Sequence, residues 1–315
     1  MFLFFPGFFA AVLLLAVLLD ALLGEPRHRH PLVGFGKLAT AVENRLWQEG
    51  GGVSSRLRGT FALVVMLGGA EGATLLLQWL LWSRPWVFAP VCVVVVYLCI
   101  AARSLREHAE AVAGPLSGGD IVTAREQLAR IVSRDTDQLT ETEVASAVCE
   151  SVLENGSDGI FAALFWFLVA GLPGVVLYRA ANTLDAMWGY RSQRYRDFGW
   201  AAARFDDVLN WLPARLVAFS YALMGNFSTG ISCWRRQAPQ WKSPNAGPVM
   251  AAGAGALRIT LGGPAPYHGE RQSRPQLGCG DAADVDAIAK TLALVHRTLV
   301  FWVAAVFIFA LIAKG

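Results

Sequence analysis

The chain has 315 residues, 55% of them hydrophobic and 16% charged, with a mean hydropathy of +0.43. Soluble domains carry about 25% charged residues, so a surface wholly bathed in water is excluded. A net charge of +3 without a basic cluster argues against a nucleic-acid partner. The five cysteines form no CxxC pair and no zinc-ligand spacing, so neither a disulfide framework nor a structural metal is implied.

A membrane helix needs about 20 apolar residues to cross a hydrocarbon layer of roughly 30 Å. The first run, Phe2–Leu23, is long for a signal peptide and has no basic segment before it, so it reads as a retained span. Next comes PRHRHP, whose His28 and His30 sit in a proline-bounded turn rather than at a convincing metal spacing. Phe61–Trp82 and Pro85–Ala102 are further spans. Glu71, inside the former among Gly68, Gly69 and Gly72, is either a relay residue or paired within the bundle.

Between these spans and the next apolar run the pattern turns water-facing. Asp120 is a good N-cap for IVTAREQLARIV, and Thr140 with Glu143 makes a capping box for a second helix, expected to end at Asn155-Gly156. Glu143, Glu150 and Glu154 line one stripe of that helix, and Asp158 follows. Carboxylates in a last turn oppose the helix dipole. The stripe is therefore either compensated by a cation such as Mg²⁺ or a solvated face paired with Arg125 or Arg130.

Ile160–Tyr178 is an apolar run broken by GLPG at positions 171–174. Asn182 and Asp185, three apart, follow it. In FDDVLNWLPARL, Asp206, Asp207 and Asn210 converge at helical spacing, with Arg215 just beyond. Two carboxylates and an amide at a membrane edge suit Mg²⁺–phosphate binding; an interfacial helix with its acids in water is the alternative. Leu212–Ile231 is a second weak run, interrupted at Gly225-Asn226. The Gly-rich stretch from Ser243 lacks a Walker pattern, so it reads equally as a close phosphate approach or as tight helix packing. Thr298–Ala313 is the last span.

The expected fold class is an all-α polytopic integral membrane protein with about four to six segments. Of its 27 basic residues, 25 fall in four connections. Simple alternation would put the six Arg between positions 179 and 215 on the outer side, against the positive-inside rule. Treating the two weak runs as re-entrant, surrounded by protein, returns every polar motif to the cytoplasmic face.

The strings LLLAVLLDALLGEPRHRHPLVGFGKL, SRDTDQL, ESVLENGSDGIFAALFW, YRAANTLDAMWGYR, FDDVLNWLPARL and SPNAGPVMAAGAGAL occur in that order along nearly the whole chain. Together they resemble the CobD/CbiB family of adenosylcobinamide-phosphate synthases. The resemblance implies a single membrane-embedded synthase domain over residues 1–315, with a cytoplasmic helical insertion at 103–159 and a Gly-rich polar loop region at 232–297. It implies a multi-pass inner-membrane enzyme that joins adenosylcobyric acid to aminopropanol or its O-phosphate, using ATP and Mg²⁺, with homo-oligomers and other late cobalamin-pathway enzymes as further partners. On the same ground Glu150, Glu154, Asp158, Asp206 and Asp207 are expected to hold metal. Asn182, Asn210, Ser243, Asn245 and Gly247 are expected to bind the nucleotide, and Asp185, Arg134, Asp135 and Arg215 to serve the chemistry. Asp20, His30 and Asn155 also match the family's strings, while Glu25 and Met250 depart from its usual residues.

Two other classes compete. A prenyl- or phosphatidyl-type transferase would also place acids at the interface, but the DDxxN here has no matching second Asp-rich motif. A transporter would need two matched broken segments, and the second weak run is a poor match for the first.

The cytoplasmic placement predicts that a cysteine introduced at Gln193, beside Arg194, reacts with an impermeant maleimide only in inside-out vesicles. Labelling from outside intact cells would sink the re-entrant reading.

Overall fold

The computed structural model describes residues 6–26, 30–190, 192–267 and 269–313. In chain order the helices are α1 (Pro6–Leu23), α2 (Pro31–Leu46), α3 (Gly52–Leu81), α4 (Pro85–Cys99), α5 (Ala102–Ser117), α6 (Ile121–Leu128) and α7 (Glu141–Gly156). After a π-helical turn, Ser157–Phe161, come α8 (Ala162–Trp188), α9 (Tyr195–Phe198), α10 (Trp200–Met224), α11 (Phe227–Gln237), α12 (Ala246–Leu257) and α13 (Val285–Ile312). Five short strands, β1 (Ile259–Gly262), β2 (Ala265–Tyr267), β3 (Glu270–Gln272), β4 (Gln276–Gly278) and β5 (Asp281–Ala282), lie between α12 and α13. The protein is thus an all-α membrane protein with a small β insertion. Among the described residues, five helical stretches are long and apolar enough to cross a bilayer: Pro6–Leu23, Gly52–Leu81, Pro85–Ser117, Glu141–Trp188 and Val285–Ile312.

Local signals set most boundaries. Proline opens α2 and α4, and the His30 ring Nδ1 accepts from the Leu32 amide, making that histidine a helix cap. His28 and Arg191 lie outside the described residues. Asp120 caps α6, and the Thr140–Glu143 capping box opens α7. The α8 backbone kinks at Gly171, which takes a φ of 65° that only glycine adopts cheaply, with Pro173 beyond it. Gly225 separates α10 from α11, and Asn226 caps the latter through the Thr229 amide.

The end of α7 departs from expectation. Asn155-Gly156 does not stop the helix; the chain runs on through the π-helical turn. Gly156 serves packing instead, because a Cβ there would sit 2.8 Å from the Tyr221 hydroxyl. Helix stops need a left-handed glycine, and Gly156 is absent from the positive-φ residues.

Two compact units account for the packing: Met1–Ala101 with Ala162–Asn210 and Val306–Gly315, and Ala102–Phe161 with Trp211–Ala305. In the first, α1, α3 and α4 pack with α8, and α2 lies on α3 and α8. Trp188, Tyr178, Phe167 and Phe198 are fully buried there. The α2–α9 corner is pinned at Glu43, which accepts from Trp188 Nε1 at 3.1 Å, Arg194 Nη2 at 2.6 Å and the Tyr195 hydroxyl at 3.1 Å. Glu71 is only half-buried, and its Oε1 has no hydrogen-bond partner among the described residues.

In the second unit, residues 232–297 are far from an open loop. The α12 segment AGPVMAAGAGAL is buried on every side because it has no large side chains except Val249, Met250 and Leu257. Its Gly255 allows the close approach of α11: a Cβ would meet the Thr229 carbonyl at 2.7 Å. Gly247 is explained the same way, against Trp241 and Ala238, so packing rather than phosphate approach accounts for it. Strand β1 pairs antiparallel with β4 and parallel with β5, while β2 and β3 form a hairpin. α13 begins 13 residues before the expected span, because Asp286, Lys290, His296 and Arg297 ride on an amphipathic first half.

Candidate functional site

In the first unit, α8 and the start of α10 are joined by polar contacts. Trp166 Nε1 donates to the Leu209 carbonyl at 3.0 Å, fixing the two helices in register. The Tyr178 hydroxyl donates to Asn210 Oδ1 at 2.9 Å, and the Asn210 amide donates to Asp206 at 2.9 Å. Asn182 also faces Asp206, at 3.4 Å, and receives Arg179 on its own oxygen at 3.1 Å. The sequence clusters at 182–185 and 206–210 therefore meet. Asp207, half-buried, lies beside Asp206 and 3.7 Å from the exposed Arg204. Asp185 sits against the Gly189 backbone, where a Cβ would lie 2.0 Å from its Oδ1.

Asp206 is 8% exposed, and both its hydrogen-bond partners among the described residues are neutral amides. Burial pushes its carboxyl well above the usual carboxylate range; the Asn210 and Asn182 amides offset part of this, and the Asp207 charge adds to it. Among the described residues, no three His, Cys, Asp or Glu side chains gather closely enough to hold a metal alone. The Asn210 and Asn182 oxygens are taken by Tyr178 and Arg179, so the two carboxylates alone would be the protein donors, and Mg²⁺ takes one or two carboxylates and keeps water or phosphate oxygens at its other positions. The donor set at Asp206 and Asp207 fits that ion.

The second unit treats its buried acid differently. The Glu150 carboxylate, 2% exposed as a residue, meets Arg134 at 2.5 Å and Arg274 through both oxygens at 3.1 Å. It also accepts the Gly262 amide at 2.9 Å and the Ser146 hydroxyl at 3.3 Å. Glu150 thus has protein cations where an ion was expected, and neither Arg125 nor Arg130 supplies them. Arg125 is turned to the Leu139 carbonyl. Glu154 is half-buried one turn further on, and Asp158 lies in the π-helical turn.

Nearby, Asp135 ties the β2–β3 hairpin by accepting the Gly269 amide at 2.7 Å and donating its own to the Pro266 carbonyl at 3.1 Å. Arg271 of that hairpin pairs with Glu143. Arg215 stacks over Trp211 and donates to Asn245 Oδ1 at 2.8 Å and the Pro244 carbonyl at 2.9 Å. The Ser243 hydroxyl accepts the Ala246 amide at 3.1 Å, closing the start of α12. The expected site residues therefore fall into groups: Asn182, Asp206, Asp207 and Asn210 in one, Arg134 with Glu150 in another, and Arg215 with Ser243 and Asn245 in a third.

The family profile described as CobD/Cbib protein matches residues 13–295, a span that contains every one of these groups. The chain belongs to the CobD/CbiB family. It is 54% identical over 299 residues to the cobalamin biosynthesis protein CobD of Chromobacterium violaceum, covering 94% of this chain and 95% of that one. With the protein of the same name from Stutzerimonas stutzeri it shares 55% over 287 residues, 91% and 93% of the two chains. The Mycobacterium tuberculosis protein of that name is 37% identical over 292 residues, 90% of each. No solved structure matches the chain.

For this CobD/CbiB member, sequence reading missed three polar residues of these groups. Tyr178 and Arg179 stand one turn before Asn182, so helical spacing from the Asn182–Asp185 pair could have found them. Arg274 lies 124 positions from Glu150 and carries no local signal.

The Glu150 network predicts a large stability cost. Glu150→Gln leaves two arginines facing an amide, and breaking a buried pair costs about 3–5 kcal/mol. Glu107→Gln, in an exposed pair with Arg103, is expected to cost about 0–1 kcal/mol. Unfolding of the detergent-solubilised protein measures both, and equal costs would contradict the structural role of the network.

Proposed function

We propose that this protein acts in cobalamin biosynthesis as an ATP- and Mg²⁺-dependent carbon–nitrogen ligase of the cell inner membrane. It joins adenosylcobyric acid to aminopropanol, or to its O-phosphate, and gives adenosylcobinamide or its phosphate. Family membership supports the pathway. The observation that carries the chemistry is the meeting of Asn182 on α8 with Asp206 and Asn210 on α10, Asp207 standing beside Asp206, around a buried carboxylate whose hydrogen-bond partners among the described residues are neutral amides.

A carboxylate does not condense with an amine in water, because its oxygen must first become a leaving group. Transfer of the ATP γ-phosphoryl group to the corrinoid carboxylate makes an acyl phosphate, and attack by the amine on its carbonyl carbon expels phosphate. Such chemistry depends on positioning and charge stabilisation. In this reading Asp206 and Asp207 would hold the Mg²⁺ that neutralises the phosphates, and Asn182 and Asn210 orient the Asp206 carboxylate. Asp185 takes the proton released by the attacking amine. Arg134 already holds Glu150, so its role is to position that side chain.

In membranes supplied with corrinoid acid, amine, ATP and Mg²⁺, the corrinoid product is followed by mass. Asp207→Asn is expected to abolish amide formation with membrane insertion intact. Turnover by that variant at the unaltered rate, or product formation without ATP, would overturn the reading.

A further inference from the structure

Among the described residues Arg179 is a cation that forms no ion pair. It lies on α8, half-buried, three residues before Asn182. One guanidinium nitrogen donates to Asn182 Oδ1 at 3.1 Å. Its Nε is buried and hydrogen-bonded to nothing among the described residues. None of the ion pairs among those residues includes it. A buried donor without an acceptor costs about 1–3 kcal/mol, more when charged, and calls for an explanation. The contrast within the chain is direct. Arg134 and Arg274 share one carboxylate, and Arg194 holds Glu43; among the described residues Arg179 has the Asn182 amide.

Its neighbours indicate what is missing. The Asn182 that receives Arg179 also faces Asp206, so the guanidinium stands one side chain away from the acid pair. A free carboxylate ligand would be repelled by Asp206 and Asp207. An anion that arrives with its own divalent cation is not, since the acids take the metal and leave the anion's oxygens to a cation. Phosphoryl oxygens on a bound metal match that division, and the Arg fork suits them. We propose that Arg179 binds a phosphoryl oxygen of the ligand whose metal ion Asp206 and Asp207 hold. This deepens the ligase reading and rests on it for the metal. It makes Arg179 a phosphate-binding residue that Asn182 holds in place.

Two sources could supply the phosphoryl group, the nucleotide or the amine substrate's phosphate, and separate probes tell them apart. The full-length protein in detergent with Mg²⁺ is titrated with a non-hydrolysable ATP analogue and, separately, with aminopropanol phosphate, following thermal stabilisation. For one of the probes, Arg179→Gln is expected to raise the half-saturation concentration about ten- to hundredfold. Arg179→Lys, which keeps the charge and loses the fork, should lie between Arg179→Gln and the parent protein. The probe affected identifies the source.

Unchanged binding of both probes by both variants overturns the proposal, and so does a parent protein that binds neither. If Arg179→Gln fails to fold, Arg179→Lys alone decides on the same comparison. A parent protein that binds a probe but forms no amide removes the ligase reading, while the binding comparison still decides the role of Arg179.

Discussion

A charge taken out of water must be met by another charge, by several hydrogen bonds or by a ligand, because the penalty otherwise runs to several kcal/mol. The protein answers that demand in different ways. At Glu150 it supplies two arginines, a backbone amide and a hydroxyl, all from its own chain. At Glu43 it supplies an indole, a guanidinium and a phenol. Among the described residues it supplies amides at Asp206 and a single amide at Arg179. The first two look finished as pieces of architecture. The last two, on neighbouring turns of the same helix pair, are the places where something from outside would complete the balance.

That pair is also well braced. The indole of Trp166 and the hydroxyl of Tyr178 lock α8 to the start of α10 at Leu209 and Asn210, next to the acid–amide cluster. The Gly171 kink lies between them on α8, and the helix resumes through Pro173 to carry Tyr178, Arg179, Asn182 and Asp185 on successive turns. Functional side chains on braced helices hold their geometry better than side chains on loops. A buried tyrosine and tryptophan whose polar ends bond across the pair serve that end.

Much of this was legible in the sequence where the signal is local. The spans, the Asp120 cap, the Thr140–Glu143 box and the breaks at Gly171 and Gly225 all follow from periodicity and backbone chemistry within a few residues. The bond between Asp206 and Asn210 is likewise a matter of helical spacing. What escaped is long-range. Gly156 reads as a helix stop until Tyr221, 65 residues on, is seen packed against it. The Gly-rich stretch from Ser243 reads equally as a phosphate approach or as tight packing because its reason for small residues is the neighbouring α11. The acidic stripe of α7 resembled a metal site because Arg274, from a turn between short strands, gives no sign of itself near Glu150.

The central claim is that Asp206 and Asp207 hold a divalent ion. Titration of the purified protein with Mn²⁺ as a paramagnetic stand-in for Mg²⁺, read by loss of the free-ion signal in the presence of a non-hydrolysable ATP analogue, tests it most directly. One saturable site in the parent protein, lost in Asp206→Asn and kept in Glu154→Gln, is the result expected. Equal Mn²⁺ binding by the parent protein and Asp206→Asn would contradict the account.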